Sequence, residues 1–222
     1  MTHTIHYSTE LACALNGYRA LIVPALDHEH SHNWQNLWAQ TIPRASRIRL
    51  LNSQNAHWVT WRNSIIASLI SIDEPVVLIA EGFGALAAAS VAAEYPGKII
   101  AMLLVDPADP DQFDVRKKLP KKALSMSTKL VIRKENSDEG LTKNVALAKQ
   151  LGADFLSLEE ANTNYCSPTD YWPEGIQALK LAVNKVERKA EEITQARTKK
   201  ILAYLRAIQQ AHTAKQLGYY PS

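Results

Sequence analysis

The chain has 222 residues, 46% of them hydrophobic and 21% charged, which is typical of one globular domain with a sizeable core. Its formal net charge of +3 is too small to indicate a nucleic-acid-binding protein. With two cysteines, no leader-like N-terminus and no apolar run of about 20 residues, the sequence predicts a cytoplasmic protein without a disulfide framework, signal peptide or membrane span.

Six apolar segments have the length and residue types of buried strands. We predict strands at residues 20–24, 47–51, 76–80, 99–105, 129–132 and 154–158. Helical apolar spacing predicts helices at residues 34–41, 59–70, 83–94 and 141–151, and a long helical pattern that starts at Pro173. Residues 106–128 are rich in Asp, Pro and Lys and are interpreted as a loop or cap.

The alternation of these elements predicts the fold class. Strands that are apolar along their whole length are buried on both faces, and helices between them imply right-handed crossovers. We therefore predict an α/β fold, a doubly wound and mostly parallel sheet between two helical layers, in residues 1–182. Residues 183–222 are predicted to form a basic helical extension. Because such sheets bind ligands beyond the carboxyl ends of their strands, functional residues are expected in the loops there.

The most informative segment is VVLIAEGFGALAAA, residues 76–89. It combines a strand, a glycine-rich turn and a helix of small residues. This is the frame of the G-x-S-x-G nucleophile elbow, which raises a serine hydroxyl above the sheet. The five elbow positions are here Ala80, Glu81, Gly82, Phe83 and Gly84. The nucleophile position is therefore Gly82, which has no side chain.

Further motifs occur in the order typical of a known family. They are Val23-Pro24, Asn33-Trp34-Gln35, Leu78 to Gly84, Leu103 to Pro107, Gly152-Ala153 and Trp172 to Gly175. Over roughly residues 18–182 the chain resembles the small serine hydrolases of the α/β-hydrolase superfamily, of the type of retinoblastoma-binding protein nine and YdeN. The resemblance implies an α/β-hydrolase-like three-layer sandwich. The resemblance rests on the whole ordered set of motifs and not on any single motif.

The departures from the family pattern concern the catalytic triad that the resemblance implies. Its serine falls on Gly82, its acid on Asn136 and its histidine on Asn162. Asp138 replaces the acid if the alignment is shifted by two residues. No shift supplies the base, because the sequence has no histidine between His57 and His212. We therefore predict a catalytically degenerate protein, a pseudoenzyme with a binding or scaffold role.

A small-molecule ligand at the former active site is one expectation from this interpretation. The candidate pocket residues are Glu81, Gly82, Phe83, Asn33 and Trp34, and the amides of Gly82 and Gly84 open a helix where an anion binds favourably. No cofactor and no bound metal are expected.

The alternative is a divergent hydrolase that acts on a small ester or amide. It would be metal-assisted through His28, His30 and His32, which alternate in one loop, together with Glu81. Solvated loop histidines are the simpler interpretation of that cluster.

The tail differs from the rest of the chain. Residues 183–222 carry eight Lys/Arg and three Asp/Glu, a net charge of +5, whereas the first 182 residues carry −2. Apolar residues recur at helical spacing up to Ile193 and, after a slip near Arg197–Lys200, again at Ile201, Leu205 and Ile208. We predict a fold-back near the slip or a projecting helix. A homodimer or another protein partner is expected to cover the stripe; membrane and nucleic-acid partners are not expected.

Overall fold

A computed structural model describes residues 9, 12–13, 15, 17–26, 34–50, 54–133, 137–158 and 172–216. Six strands in these residues form one sheet with the order β2-β1-β3-β4-β5-β6, and every pairing in it is parallel. The strands are β1 (Arg19–Val23), β2 (Ala45–Arg47), β3 (Val76–Glu81), β4 (Ile99–Val105), β5 (Ser127–Ile132) and β6 (Asp154–Ser157).

In the part of the chain that the structure describes, five α-helices alternate with or follow these strands. They are α1 (Trp34–Thr41), α2 (Trp58–Ile70), α3 (Gly82–Glu94), α4 (Asp138–Leu151) and α5 (Pro173–Gln216). The start of α4 is capped by Ser137, whose hydroxyl accepts from the Gly140 N–H at 3.0 Å. Its C-cap is Gly152, which adopts a left-handed φ of 67°. The predicted doubly wound α/β fold is confirmed.

The second strand differs from its prediction. The apolar residues Ile48 and Leu50 predicted a strand at residues 47–51, but β2 is Ala45–Arg47, paired with Ala20–Ile22 of β1. Ile48 still donates its N–H to the Ile22 carbonyl at 2.9 Å and is buried. As an edge strand with a single neighbour, β2 is defined by its ladder to β1 and not by a continuous apolar run.

The central helix α3 lies within the core and not on the surface. Its residues from Phe83 to Ala92 are all buried, and five of them are alanine. Such small side chains let the helix axis approach the sheet closely. The close packing of α3 on the sheet fixes the start of this helix, and hence the β3–α3 turn, at the carboxyl edge of the sheet.

The chain divides into two compact units, Met1–Asn184 and Lys185–Ser222. We call the first the sheet domain and the second the tail. Helix α5 is continuous through Arg197–Lys200, so the predicted fold-back at that point is wrong. The slip in the apolar pattern does not interrupt the helix, because every residue from Ile176 to Gln216 is compatible with helical dihedrals and none is Gly or Pro. None of the described helices is long and apolar enough to cross a membrane.

Candidate functional site

Three neighbouring strands end in charged residues. Glu81 is the last residue of β3, Asp106 directly follows β4, and Arg133 directly follows β5. Because these strands are parallel neighbours, their carboxyl ends meet at one edge of the sheet. This edge is where ligands of doubly wound sheets bind.

Arg133 joins the two carboxylates. Its Nη2 donates to Glu81 Oε1, and its Nε donates to Asp106 Oδ2 at 2.5 Å. Its backbone N–H donates to Asp106 Oδ1 at 2.7 Å. Glu81 is only 3% exposed, so this ion pair is largely screened from water. The three residues form a network that we call the edge charge network.

The network changes the pKa of its members in directions that follow from its geometry. Burial raises the pKa of the Asp106 carboxyl, and the Arg133 guanidinium opposes that rise only in part. Burial alone would lower the pKa of Arg133, but the Glu81 and Asp106 carboxylates outweigh it and raise that pKa. Burial lowers the pKa of Arg47, against the opposing effect of Glu81. Arg47 is therefore a second cation whose charge acts on Glu81.

Gly82 forms the turn between β3 and α3 with a left-handed φ of 60°. A side chain is strained in this conformation, and a Cβ atom built on Gly82 would lie 2.9 Å from the Ala25 Cβ. Ala25, the second residue after β1, thus covers the position from which an elbow nucleophile would project. The turn has the strand–turn–helix geometry predicted for an elbow, and a glycine fits it without strain.

This geometry predicts coupled effects of two substitutions. Gly82→Ser is expected to destabilise the sheet domain by about 2–3 kcal/mol, from the positive φ and the contact with Ala25. Ala25→Gly should recover about 1 kcal/mol of that loss by removing the opposing methyl group, although alone it is mildly destabilising. Urea unfolding of the four proteins of the double-mutant cycle measures the coupling. Strictly additive losses would contradict the contact.

Three tryptophans pack beside the network. Trp38 and Trp172 stack with ring centroids 5.9 Å apart, and Trp34 meets both edge-on at 4.8 and 4.9 Å. The Arg133 guanidinium carbon lies 5.7 Å from the centroid of the Trp172 ring, within cation–π range. Trp172 has a left-handed φ of 47° and is 2% exposed. The aromatic cluster therefore contacts Arg133 through the Trp172 ring.

The family model for serine hydrolases matches residues 20–181, which is most of the chain. The chain belongs to the serine hydrolase family. No curated protein matches the sequence significantly. Among solved structures, the chain is similar to a YdeN-like hydrolase, described as putative, from Pectobacterium atrosepticum (23% identity, 82% of this chain and 98% of that one, TM-score 0.70).

Two more distant structures share the fold of this serine hydrolase family member. The ydeN gene product of Bacillus subtilis has 12% identity, covers 77% of this chain and 97% of its own, and has a TM-score of 0.50. Tomato methylketone synthase I, solved as an H243A variant with beta-ketoheptanoate, has 10% identity, coverages of 76% and 99%, and a TM-score of 0.54. At these identities the likeness concerns the fold alone.

The structure places some of the predicted site residues and leaves others outside the residues it describes. Glu81 and Gly82 lie at the sheet edge, and Trp34 lies in the aromatic cluster. Phe83 is 1% exposed, and its ring packs in the core against Trp61 and Phe113. The other predicted positions lie outside the described residues; they are His28, His30, His32, Asn33, Asn136 and Asn162. Among the described residues, no group of three or more His, Cys, Asp or Glu side chains is placed to hold a metal ion.

The sequence did not predict two members of the edge charge network, Asp106 and Arg133. A signal for them exists, because each is a charged residue directly after a buried strand. From the sequence, Asp106 is predicted only as the first residue of the loop at 106–128, and no role is predicted for Arg133. Their pairing joins residues 27 positions apart, and the Glu81–Arg133 pair joins residues 52 apart, which no local pattern reports.

Proposed function

We propose that this serine hydrolase family member is catalytically degenerate and acts by binding at the carboxyl edge of its sheet. The observation that supports this most directly is the β3–α3 turn. Its nucleophile position is Gly82, at a positive φ and beneath Ala25. An acyl-transfer reaction needs a nucleophilic side chain at that point, and glycine supplies none.

The sequence also lacks the general base of the triad. Between His57 and His212 there is no histidine, and in this fold the base follows the nucleophile in chain order. Loss of the nucleophile or the base alone lowers turnover by about 10⁶-fold in a well-studied protease. What remains is about 10³–10⁴-fold over water, from binding and oxyanion stabilisation. Such a protein is expected to bind a ligand and release it unchanged.

The aromatic cluster suggests the chemistry of that ligand. The indole Nε1 atoms of Trp34 and Trp172 are buried, and neither has a hydrogen-bond partner within the described part of the chain. An indole N–H is a donor only, so its natural partner is an acceptor. We infer a small molecule with a carbonyl or carboxylate oxygen, bound without cofactor or metal. A cytoplasmic location is part of the same proposal.

The purified protein is expected to hydrolyse activated acyl esters no faster than buffer alone and to take up no fluorophosphonate label. Gly82 has no hydroxyl to phosphonylate, and Ala25 occupies the space above it. Label incorporation is measured by intact-mass spectrometry, with an active serine hydrolase as positive control. Stoichiometric labelling of any residue near the sheet edge would overturn the proposal.

The alternative function, a divergent hydrolase that acts on a small ester or amide through Glu81 and the loop of His28, His30 and His32, is weakened by the edge charge network. Glu81 is 3% exposed and already accepts from Arg133, so its carboxylate is neither free nor aimed at solvent. A positive result in the ester assay that disappears in Glu81→Gln would favour this alternative over the binding role.

A further inference from the structure

Trp172 is held in an unusual conformation at the start of helix α5. Its backbone has a φ of 47°, in the left-handed region, where a bulky residue is an outlier. The Ile176 N–H donates to its carbonyl oxygen at 3.1 Å and closes the first turn of the helix. A Cβ atom at Gly175 would lie 2.1 Å from Trp172 Cε3, so only glycine lets the indole ring lie against this turn. Strained residues of this kind cluster at ligand-binding sites, which makes the turn a candidate site.

Trp172 and two residues beside it each bury a polar atom that has no hydrogen-bond partner among the described residues. Two of these atoms are donors, the indole Nε1 atoms of Trp34 and Trp172. The two rings meet with centroids 4.9 Å apart, and Trp172 is 2% exposed. The third atom is an acceptor, Oε2 of Glu174, in the same helical turn as Trp172. Since buried polar groups are nearly always satisfied, these atoms indicate a ligand that both accepts and donates hydrogen bonds.

The charges around the aromatic cluster favour a neutral ligand. Arg133 is already shared between two carboxylates, Glu81 and Asp106. Arg47 is the other cation whose charge acts on Glu81. With Glu174 included, three carboxylates stand against two guanidinium groups, which leaves one net negative charge among these residues. An anionic ligand would therefore be repelled, whereas a neutral hydrogen-bond donor would be accepted.

We propose that the ligand of this site is a carboxamide, whose carbonyl oxygen accepts from the Trp34 and Trp172 indoles and whose N–H donates to Glu174 Oε2. The inference rests on the proposed binding function and narrows its ligand class. An ester offers the same acceptor but no donor for Glu174. A carboxylate has no donor and adds a negative charge, and an amine lacks the acceptor that the indole N–H groups require.

The experiment compares four probes that share one benzene ring: benzamide, methyl benzoate, benzoate and benzylamine. Each is titrated at about pH 7.5, where benzoate is ionised and benzylamine protonated, into isotopically labelled full-length protein. The indole N–H signals are followed by NMR. We expect benzamide to bind at least about 10-fold more tightly than each other probe, because it alone satisfies both the donors and the acceptor.

The indole signals report where the probe binds. Those of Trp34 and Trp172, assigned by substitution with phenylalanine, should move downfield when their N–H groups donate to the benzamide carbonyl. Trp61 is the internal control, because its Nε1 already donates to the Asn55 carbonyl at 2.9 Å. Shifts confined to other indoles, or no saturable binding of any probe, would overturn the inference.

Two further outcomes separate this inference from the binding role on which it rests. Tightest binding of benzoate or benzylamine at the Trp34 and Trp172 signals would overturn the carboxamide assignment and leave the binding role intact. Hydrolysis of methyl benzoate, measured as release of methanol above the rate in buffer, would overturn the binding role and the inference together.

Glu174→Gln tests the acceptor. The substitution removes the negative charge but keeps a carbonyl oxygen of the same reach, so benzamide should lose less than about 3-fold in affinity. Benzoate should gain at least about 10-fold, because the repulsion is removed and the new amide donates to it. Glu187→Gln, at an exposed position of the same helix, is the matched control and should change neither affinity. An unchanged ratio of the two affinities in Glu174→Gln would mean that Glu174 does not contact the ligand, and the inference would be wrong.

Discussion

Replacing Arg133 by methionine is expected to lower the free energy of unfolding of the sheet domain by about 3 kcal/mol. The substitution leaves Glu81, 3% exposed, without the guanidinium that neutralises it, and removes the hydrogen bond from Arg133 Nε to Asp106 Oδ2. This loss of unfolding free energy is at the lower end of the usual range for a broken buried ion pair, because the charge of Arg47 still acts on Glu81. Urea unfolding followed by tryptophan fluorescence measures the loss, and all five tryptophans lie in the sheet domain.

A matched control separates this effect from the loss of any arginine. Arg116 also pairs with a carboxylate, Asp111, at 2.5 Å, but both side chains are about half exposed. Arg116→Met should therefore cost less than about 1 kcal/mol. If the two variants lose similar stability, the edge charge network is no more than a surface ion pair.

The pH dependence of Arg133→Met follows from the same geometry. Burial already raises the pKa of the Asp106 carboxyl, and removing Arg133 takes away the largest influence that lowers it. In the variant, the folded state therefore binds protons more readily than the unfolded state, whose carboxyls titrate near pH 4. Its stability deficit relative to the unmodified protein should be largest near pH 7 and should shrink as the pH falls towards 5. A deficit that grows on acidification would contradict this assignment.

The second large effect is expected for Gly84→Ala, which should destabilise the sheet domain by about 3 kcal/mol or more. A Cβ atom at Gly84 would lie 2.2 Å from the Pro24 carbonyl oxygen and 2.9 Å from Val23 Cγ1. The first of these is backbone at the end of a central strand and cannot rotate away, so helix α3 would have to move off the sheet. In an exposed helix the same change would instead be stabilising by about 1 kcal/mol.

Gly97→Ala is the control for Gly84→Ala. A Cβ atom at Gly97 meets nothing within 4 Å, and the change reduces the freedom of the unfolded chain. It should leave the urea midpoint unchanged or raise it slightly. A small effect at both positions would mean that α3 tolerates displacement from the sheet, and that the close approach at Gly84 is not needed for the fold.

The element predictions succeeded where a segment is buried on both faces. Strands β3 and β4 were predicted within one residue, because continuous Val, Ile and Leu runs leave no other arrangement. The edge strand β2 begins two residues and ends four residues earlier than predicted, since its bounds depend on pairing with β1 and not on its own apolarity. The tail was predicted as helical, but its continuity through Arg197–Lys200 had to come from the structure.

The sequence by itself determined the chemistry that is missing at the elbow. The absence of a hydroxyl at Gly82 and of a histidine between His57 and His212 are properties of residue identity, so no packing alters them. Tertiary structure alone decided which groups lie at the position of the missing triad. Arg133 meets Glu81 and Asp106 only because three parallel strands end at one edge, and Ala25 covers Gly82 only because β1 lies beside β3. Distances between residues remote in the chain are set by packing, which local composition and spacing do not encode.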